Sequence, residues 1–338
     1  MEIETLYRHA TKQMQDIIEK MLSVAEETNN FTNPSDAIWN NEEASILLLC
    51  GKGFHLSEIP EDPKDKANSW LGRLAISFSL ERSASSLLYQ KIQPFINDLV
   101  FDSFSQTESF TKVTPEWIFE NPQFLPVLMH AIGAFSKRDL EKELGTSSLS
   151  DNGLSRPTCV KLASKFSEVR DYPSEIQILE RMKSTTEGIV RDLIGRLLLE
   201  DFVAQALRKE KIPFLRESEY ESLSGIVYDF RADFVIPDSE NPKAFIEVRK
   251  SSAGHASLYA KDKMFSAINW KGKHKECLGF VIVEGPWTQA TLEVMAKVFD
   301  YVIPVEKSYE AAKKIREYLD GDISVLRWLI QFRIDPNN

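Results

Sequence analysis

The sequence predicts an α+β protein, with a mainly helical N-terminal region followed by a mixed central sheet covered by helices. Three observations carry this reading. Residues 1–30, about 41–51 and 66–100 show apolar side chains at helical spacing, with "NNFTNPSD" and "SEIPEDPKD" as breaks. Two runs, "LGFVIVEG" (278–285) and "DYVIPV" (300–305), are continuously apolar, as strands buried on both faces are. Before them, "RADFVIPDSENPKAFIEVRKSS" (231–252) reads as a hairpin, two apolar stretches about a turn rich in Pro, Ser, Asn and Asp.

The elements divide the chain into a helical region over 1–110, a middle segment over 111–175 and an α/β domain over 176–338. The first of these carries no recognisable chemistry. In the middle segment, Ser136 caps a helix through Leu144 and Gly145 ends it. Ser155 caps a second helix, with Pro157 in its first turn, that runs to about Phe166. Leu140, Leu144, Val160, Leu162 and Phe166 would pack the pair together. The arrangement resembles a helix-turn-helix, although its turn is longer than that of the basic motif. That resemblance would place the front of the second helix in a DNA major groove, with Ser155, Arg156, Thr158, Lys161 and Lys165 facing the duplex. An ordinary helical hairpin fits the same residues.

From about residue 175 the texture changes. A long amphipathic helix, "STTEGIVRDLIGRLLLEDFVAQALRKEKIPF", has Ile189, Leu193, Ile194, Leu197, Phe202, Val203 and Leu207 as its buried face, and Pro213 marks its end. Strands are expected near 214–218, 226–236 and 244–249, a helix at about 257–269 and the strand at 278–285. A helix at 288–298, the strand at 300–305 and a closing helix over "SYEAAKKIREYL" complete the order α-β-β-β-α-β-α-β.

Composition excludes several classes. The hydrophobic fraction of 43% and charged fraction of 27% belong to a globular protein, and no apolar run approaches the ~18–20 residues needed to cross a bilayer. The first residues form a charged amphipathic helix without the apolar core of a signal peptide, and three widely spaced cysteines (Cys50, Cys159, Cys277) suit a reducing compartment, so a cytoplasmic location is expected. Although the net charge is −10, Arg249, Lys250, Lys261, Lys263, Lys271, Lys273 and Lys275 form a cationic block just after the hairpin, interrupted only by Asp262 before Glu276.

The hairpin itself carries the chemistry. Side chains alternate along a strand, so Asp229, Arg231 and Asp233 share one face while Phe230, Ala232, Phe234 and Ile236 share the other. In the second strand Phe245, Glu247 and Arg249 oppose Ile246 and Val248. Pairing would bring Asp233 and Glu247 together on one polar face, where two carboxylates repel unless a cation lies between them. A hard divalent ion such as Mg²⁺, which prefers oxygen ligands, meets that need.

An acid, thirteen intervening residues and then acid-x-base in the next strand ("AD…EVR", Asp233 to Arg249) resembles the PD-(D/E)xK nuclease superfamily, most closely type II restriction endonucleases. The αβββαβ order resembles that family's core as well. The resemblance covers about 187–305. It implies a Mg²⁺-dependent, site-specific deoxyribonuclease acting on double-stranded DNA as a homodimer, with neither a membrane nor a nucleotide cofactor. Asp233 and Glu247 would hold the metal with the Val248 carbonyl, and the lysine role would fall to Arg249 or Lys250. Two departures stand out. The family's proline is Ala232, and its lysine is Arg249, which stays protonated and cannot serve as a base, while Lys250 lies on the opposite face. The family's further helical acid would be Glu200, with Glu187 as second choice. Ser251, Ser252, Lys261 and Lys263 would meet phosphates, and His255 is a proton-shuttle candidate, although a lone loop histidine is usually neither ligand nor catalyst. The alternatives are an inactive nuclease-like DNA-binding regulator, or a repair or transposition nuclease of the same fold.

Overall fold

A computed structural model describes residues 3–146, 148–251 and 256–331. The chain forms two compact units, Met1–Ile17 with Asn41–Arg196 and Ile18–Asn40 with Leu197–Asn338. Among the described residues, no helix is long and apolar enough to cross a membrane.

The first unit is built from helices, and its sequence punctuation is visible in its caps. Its principal helices are the start of α1 (Leu6–Glu27), α2 (Leu80–Gln106), α3 (Lys137–Leu144), α4 (Arg156–Glu168) and α5 (Glu175–Leu193). Ser79, Ser136, Ser155 and Ser174 each accept a hydrogen bond from the backbone N–H three residues on, satisfying a donor that the first turn leaves open. Gly145 closes α3 in the left-handed conformation, φ 57°, which glycine adopts without a Cβ penalty. Leu140, Leu144, Leu162 and Phe166 are buried as expected, whereas Val160 is 56% exposed because α4 turns Thr158, Cys159, Leu162 and Phe166 inward. His130 is fully buried in a short helix, Leu125–Ala131, its Nε2 sharing a 2.8 Å hydrogen bond with Thr185 Oγ1. Burial, reinforced by the Arg181 guanidinium, pushes the imidazole down to about 4.

The long helix expected from residue 184 onward is present but changes pitch. After α5 come a π-helical turn, Ile194–Leu198, and then α6 (Leu199–Lys209). The boundary between the units falls inside that turn. Buried positions run Met182, Thr186, Val190 and Leu193, then skip to Leu198 and Phe202. An unbroken α-helix would have continued at Leu197, so a single 3.6-residue phase misplaced Ile189, Ile194 and Leu197, which are half-buried.

The second unit holds a five-stranded sheet in the order β1-β2-β3-β4-β5. Its strands are β1 (Leu215–Arg216), β2 (Phe234–Ile236), β3 (Ala244–Lys250), β4 (Leu278–Glu284) and β5 (Tyr301–Pro304). The first three pair antiparallel, and β3, β4 and β5 run parallel, linked by α7 (Ala256–Lys273) and α8 (Gln289–Met295). The last helix, α9 (Ser308–Leu319), follows β5. The molecule is therefore α+β with one mixed sheet. On one sheet face Val235, Phe245, Val281 and Val283 pack with Ala260, Ala267 and Trp270 of α7. The register Phe234↔Ile246↔Phe280 puts those buried residues on the other face.

The strand expected over 226–236 is confined to its last three residues. Within residues 220–233 regular pairing is limited to a bridge between Leu223 and Phe230, and side chains satisfy other backbone groups of the segment. Asn269 of α7 accepts from Val227 N at 2.8 Å and donates to the Tyr228 carbonyl at 2.8 Å. The Tyr220 hydroxyl accepts from Ala232 N at 2.6 Å and donates to the Ala232 carbonyl at 2.7 Å. Gly225 permits this, since a Cβ there would lie 1.9 Å from the Asn269 amide. Phe230, assigned by parity to an apolar face, is 36% exposed in consequence.

The far edge is locked by a buried ion pair. Lys271 of α7 meets Asp300 just before β5, and neither side chain is exposed to solvent. Asp300 Oδ2 also accepts from Gly279 N at 2.7 Å, and Oδ1 accepts from Arg327 N and Trp328 N, each at 2.8 Å. Every oxygen of the carboxylate is thus occupied, which buried charge requires.

Candidate active site

The pairing Phe234↔Ile246 continues to Asp233 opposite Glu247, on the sheet face covered by α7. Asp233 is held from behind: Tyr220 clamps Ala232, and the Asp233 carbonyl accepts from Glu217 N at 3.1 Å. Its Oδ2 accepts from Val248 N at 2.6 Å. The next residue but one after Glu247, Arg249, projects from the same face of β3.

The guanidinium is where the oxygens meet. Arg249 Nη1 donates to Asp233 Oδ2 at 2.9 Å and to the Val248 carbonyl at 2.6 Å, while Nη2 lies 2.7 Å from Glu247 Oε2. The remaining cation is Lys263 of α7, its Nζ 3.3 Å from the same Oε2. Glu247 has no exposed surface, and among the described residues neither of its oxygens has an aligned hydrogen-bond donor. The two cations reach Oε2 as close ion pairs. Burial above all, then the Asp233 charge, pushes the Glu247 carboxyl up to about 8 against the pull of Arg249 and Lys263. For Arg249, burial works against the charge, but Glu247 and Asp233 outweigh it and raise its pKa.

The other candidate residues fall in several places. Glu200 of α6 is exposed yet crowded by protein on one side. That desolvation and the Asp233 charge raise its carboxyl pKa, which puts it within electrostatic reach of the acid pair. Glu187 belongs to the first unit, where after burial it is the main influence raising the Tyr89 hydroxyl. Lys250 and Lys261 are exposed, and Ser251 is buried with its N–H on the Glu284 carbonyl at 2.9 Å. Ser252 and His255 lie outside the described residues.

In the helix-turn-helix-like segment, Ser155 and Thr158 are joined to each other at 2.8 Å, and Thr158 is buried. Lys161 donates to the Leu144 carbonyl at 2.7 Å, closing the end of α3. Arg156 is exposed with its guanidinium 4.6 Å over the Phe119 ring, and Lys165 pairs with Glu168 at 3.1 Å. Arg156 and Lys161 are exposed, although the Lys161 amine is held at the end of α3, and Lys165 is half-buried.

Sequence reasoning placed Lys263 among phosphate contacts and passed over Tyr220 and Asn269. The spacing held a signal: Ala260, Lys263, Ala267 and Trp270 follow a 3-4-3 pattern, so the lysine occupies the buried stripe of α7.

The donor set fits a hard divalent cation. Asp233 Oδ2, Glu247 Oε2 and the Val248 carbonyl converge on one positive group, all are oxygens, and among the described residues neither buried oxygen of Glu247 has an aligned hydrogen-bond donor. Among the described residues no cluster of three or more His, Cys, Asp or Glu side chains forms a metal cage, so a bound ion would rely on two carboxylates and a carbonyl. No protein-family model, curated protein or solved structure matches the chain.

Proposed function

We propose that this chain is a Mg²⁺-dependent endonuclease hydrolysing phosphodiester bonds of double-stranded DNA, most like a type II restriction enzyme of the PD-(D/E)xK superfamily. The observation that carries the reading is the convergence of Asp233 Oδ2, Glu247 Oε2 and the Val248 carbonyl on a single cationic group. On this reading those three oxygens hold Mg²⁺, which would lower the pKa of a water and offset charge developing on the phosphate. Lys263 takes the lysine role from the neighbouring helix, its amine beside Glu247 positioned to orient the attacking water. Arg249, which stays protonated, serves as a phosphate or carboxylate partner only. Glu200 supplies a further acid, and Lys250 and Lys261 offer exposed charge to the DNA backbone. Arg156 and Lys165 belong to the recognition segment, and a homodimer would match the two-fold symmetry of a palindromic site.

A second reading, a DNA-binding protein on the same fold without activity, is favoured by one observation: Arg249 fills the space between the acids. Incubation with mixed plasmid DNA and Mg²⁺ separates them. Discrete double-strand fragments, lost in Asp233→Ala with DNA binding retained, support the endonuclease. Binding without cleavage supports the regulator, structure-dependent nicking a repair-type nuclease, and undiminished cleavage by Asp233→Ala overturns the site.

A further inference from the structure

Two nitrogens of one side chain reach the three oxygens that converge here. Arg249 Nη1 bridges Asp233 Oδ2 and the Val248 carbonyl, and Nη2 faces Glu247 Oε2 at 2.7 Å. A divalent cation and this guanidinium therefore cannot share the same three donors. The arginine is not sealed in: its side chain keeps 27% of its surface in solvent, against 7% for Asp233 and none for Glu247. It can leave while the acids stay.

A lysine in the usual place would behave differently. An ammonium is one nitrogen, and it cannot lie between Glu247 and the Asp233–Val248 pair with the two-point span of a guanidinium. The departure from the family's lysine is thus also a change in what occupies the acid pair when no metal is bound.

We propose that Arg249 is a built-in counter-ion that competes with a divalent metal ion for Asp233, Glu247 and the Val248 carbonyl, so that metal binds only as the guanidinium moves out toward solvent. The inference rests on the metal-dependent reading of the acid pair. The arginine keeps two like charges compatible in one buried site and lowers the apparent metal affinity to the intrinsic value multiplied by the fraction of molecules in which it has moved out. Once displaced, it lies at the mouth of the site, where an incoming phosphate offers the same bidentate oxygen geometry as the carboxylates it left. Metal and DNA would then assist one another, each favouring the conformation with the arginine turned out.

The test is Mn²⁺ binding to the full chain without DNA, followed by calorimetry and by the electron-spin resonance signal of the free ion. Arg249→Lys keeps the positive charge, so the acids remain compensated and the fold is protected. It should bind Mn²⁺ at least about tenfold more tightly than the unaltered chain. Arg249→Ala, if folded by circular dichroism, should do the same, and Glu247→Gln in the Arg249→Lys background should cancel the gain. Affinity in Arg249→Lys equal to or weaker than that of the unaltered chain overturns the competition, as does a gain that survives Glu247→Gln. These outcomes are separate from cleavage. Tightening without any DNA cleavage would sink the nuclease reading and leave the counter-ion, while cleavage without tightening would do the reverse.

Discussion

Arg249 Nη1 stands 2.9 Å from Asp233 Oδ2, joining the acid just before β2 to a guanidinium of β3. The contact ties the stability of the unit to its chemistry, because the same guanidinium compensates the fully buried Glu247.

Removing that compensation should be costly. Arg249→Met leaves two buried carboxylates facing each other, and breaking a buried ion pair from one side costs about 3–5 kcal/mol. Adding Asp233→Asn and Glu247→Gln removes the repulsion and should return a substantial part of the loss. Urea unfolding of the three proteins checks this, and a single variant no less stable than the triple would show that the pair is not compensated by Arg249.

The amines of α7 should separate in function. Lys263→Met is expected to lower the cleavage rate by about 10²–10⁴, the range for a lost proton-transfer or water-orienting group. Lys261→Ala, exposed on the same helix, should chiefly flatten the salt dependence of DNA binding. Equal losses of rate in the two variants would argue against a special role for Lys263.

Asp300 should matter for stability alone. Its carboxylate accepts from Gly279, Arg327 and Trp328 and pairs with buried Lys271, so Asp300→Ala strands three backbone donors and a charge. A loss of about 3–5 kcal/mol is expected, with faster proteolysis near 323–330 as the local sign. Lys271→Met combined with Asp300→Leu should recover part of it, and a single variant with an unchanged urea midpoint would dismiss the lock.

His130 predicts an acid limb. In the unfolded chain the ring takes up a proton near its ordinary pKa of 6.5, but in the fold it resists until about 4. Between those values the unfolded state binds more protons, so stability present above pH 6.5 is lost as pH falls toward 4. His130→Asn should flatten the stability profile across that window, compared by urea unfolding at each pH. Parallel profiles would assign the acid sensitivity to other groups.

Much of this was legible in the sequence, for identifiable reasons. Ser136, Gly145 and Ser155 act through local hydrogen bonds and backbone sterics, and their helices begin and end where those residues imply. The continuous runs that became β4 and β5 needed only burial on both sides. Strand parity placed Asp233, Glu247 and Arg249 on one face. The misses came from partners distant in sequence. Nothing near 226–233 says that Asn269, over forty residues later, will satisfy its backbone in place of a strand. Lys263 was read by its charge, although its spacing with Ala260 and Ala267 points inward.

The π turn at Ile194–Leu198 gives the long helix an unusual tolerance. Each residue of an α-helix advances the chain by about 100°, so a one-residue deletion normally swings everything downstream to a new compass bearing. Here one surplus residue is already wound into the turn. Its loss would heal the segment to regular α-helix and leave Leu198, Phe202 and Leu207 on the buried side of α6. The same deletion inside α6 would have no such slack and would swing the residues after it off the buried face that Phe202, Val203 and Leu207 share.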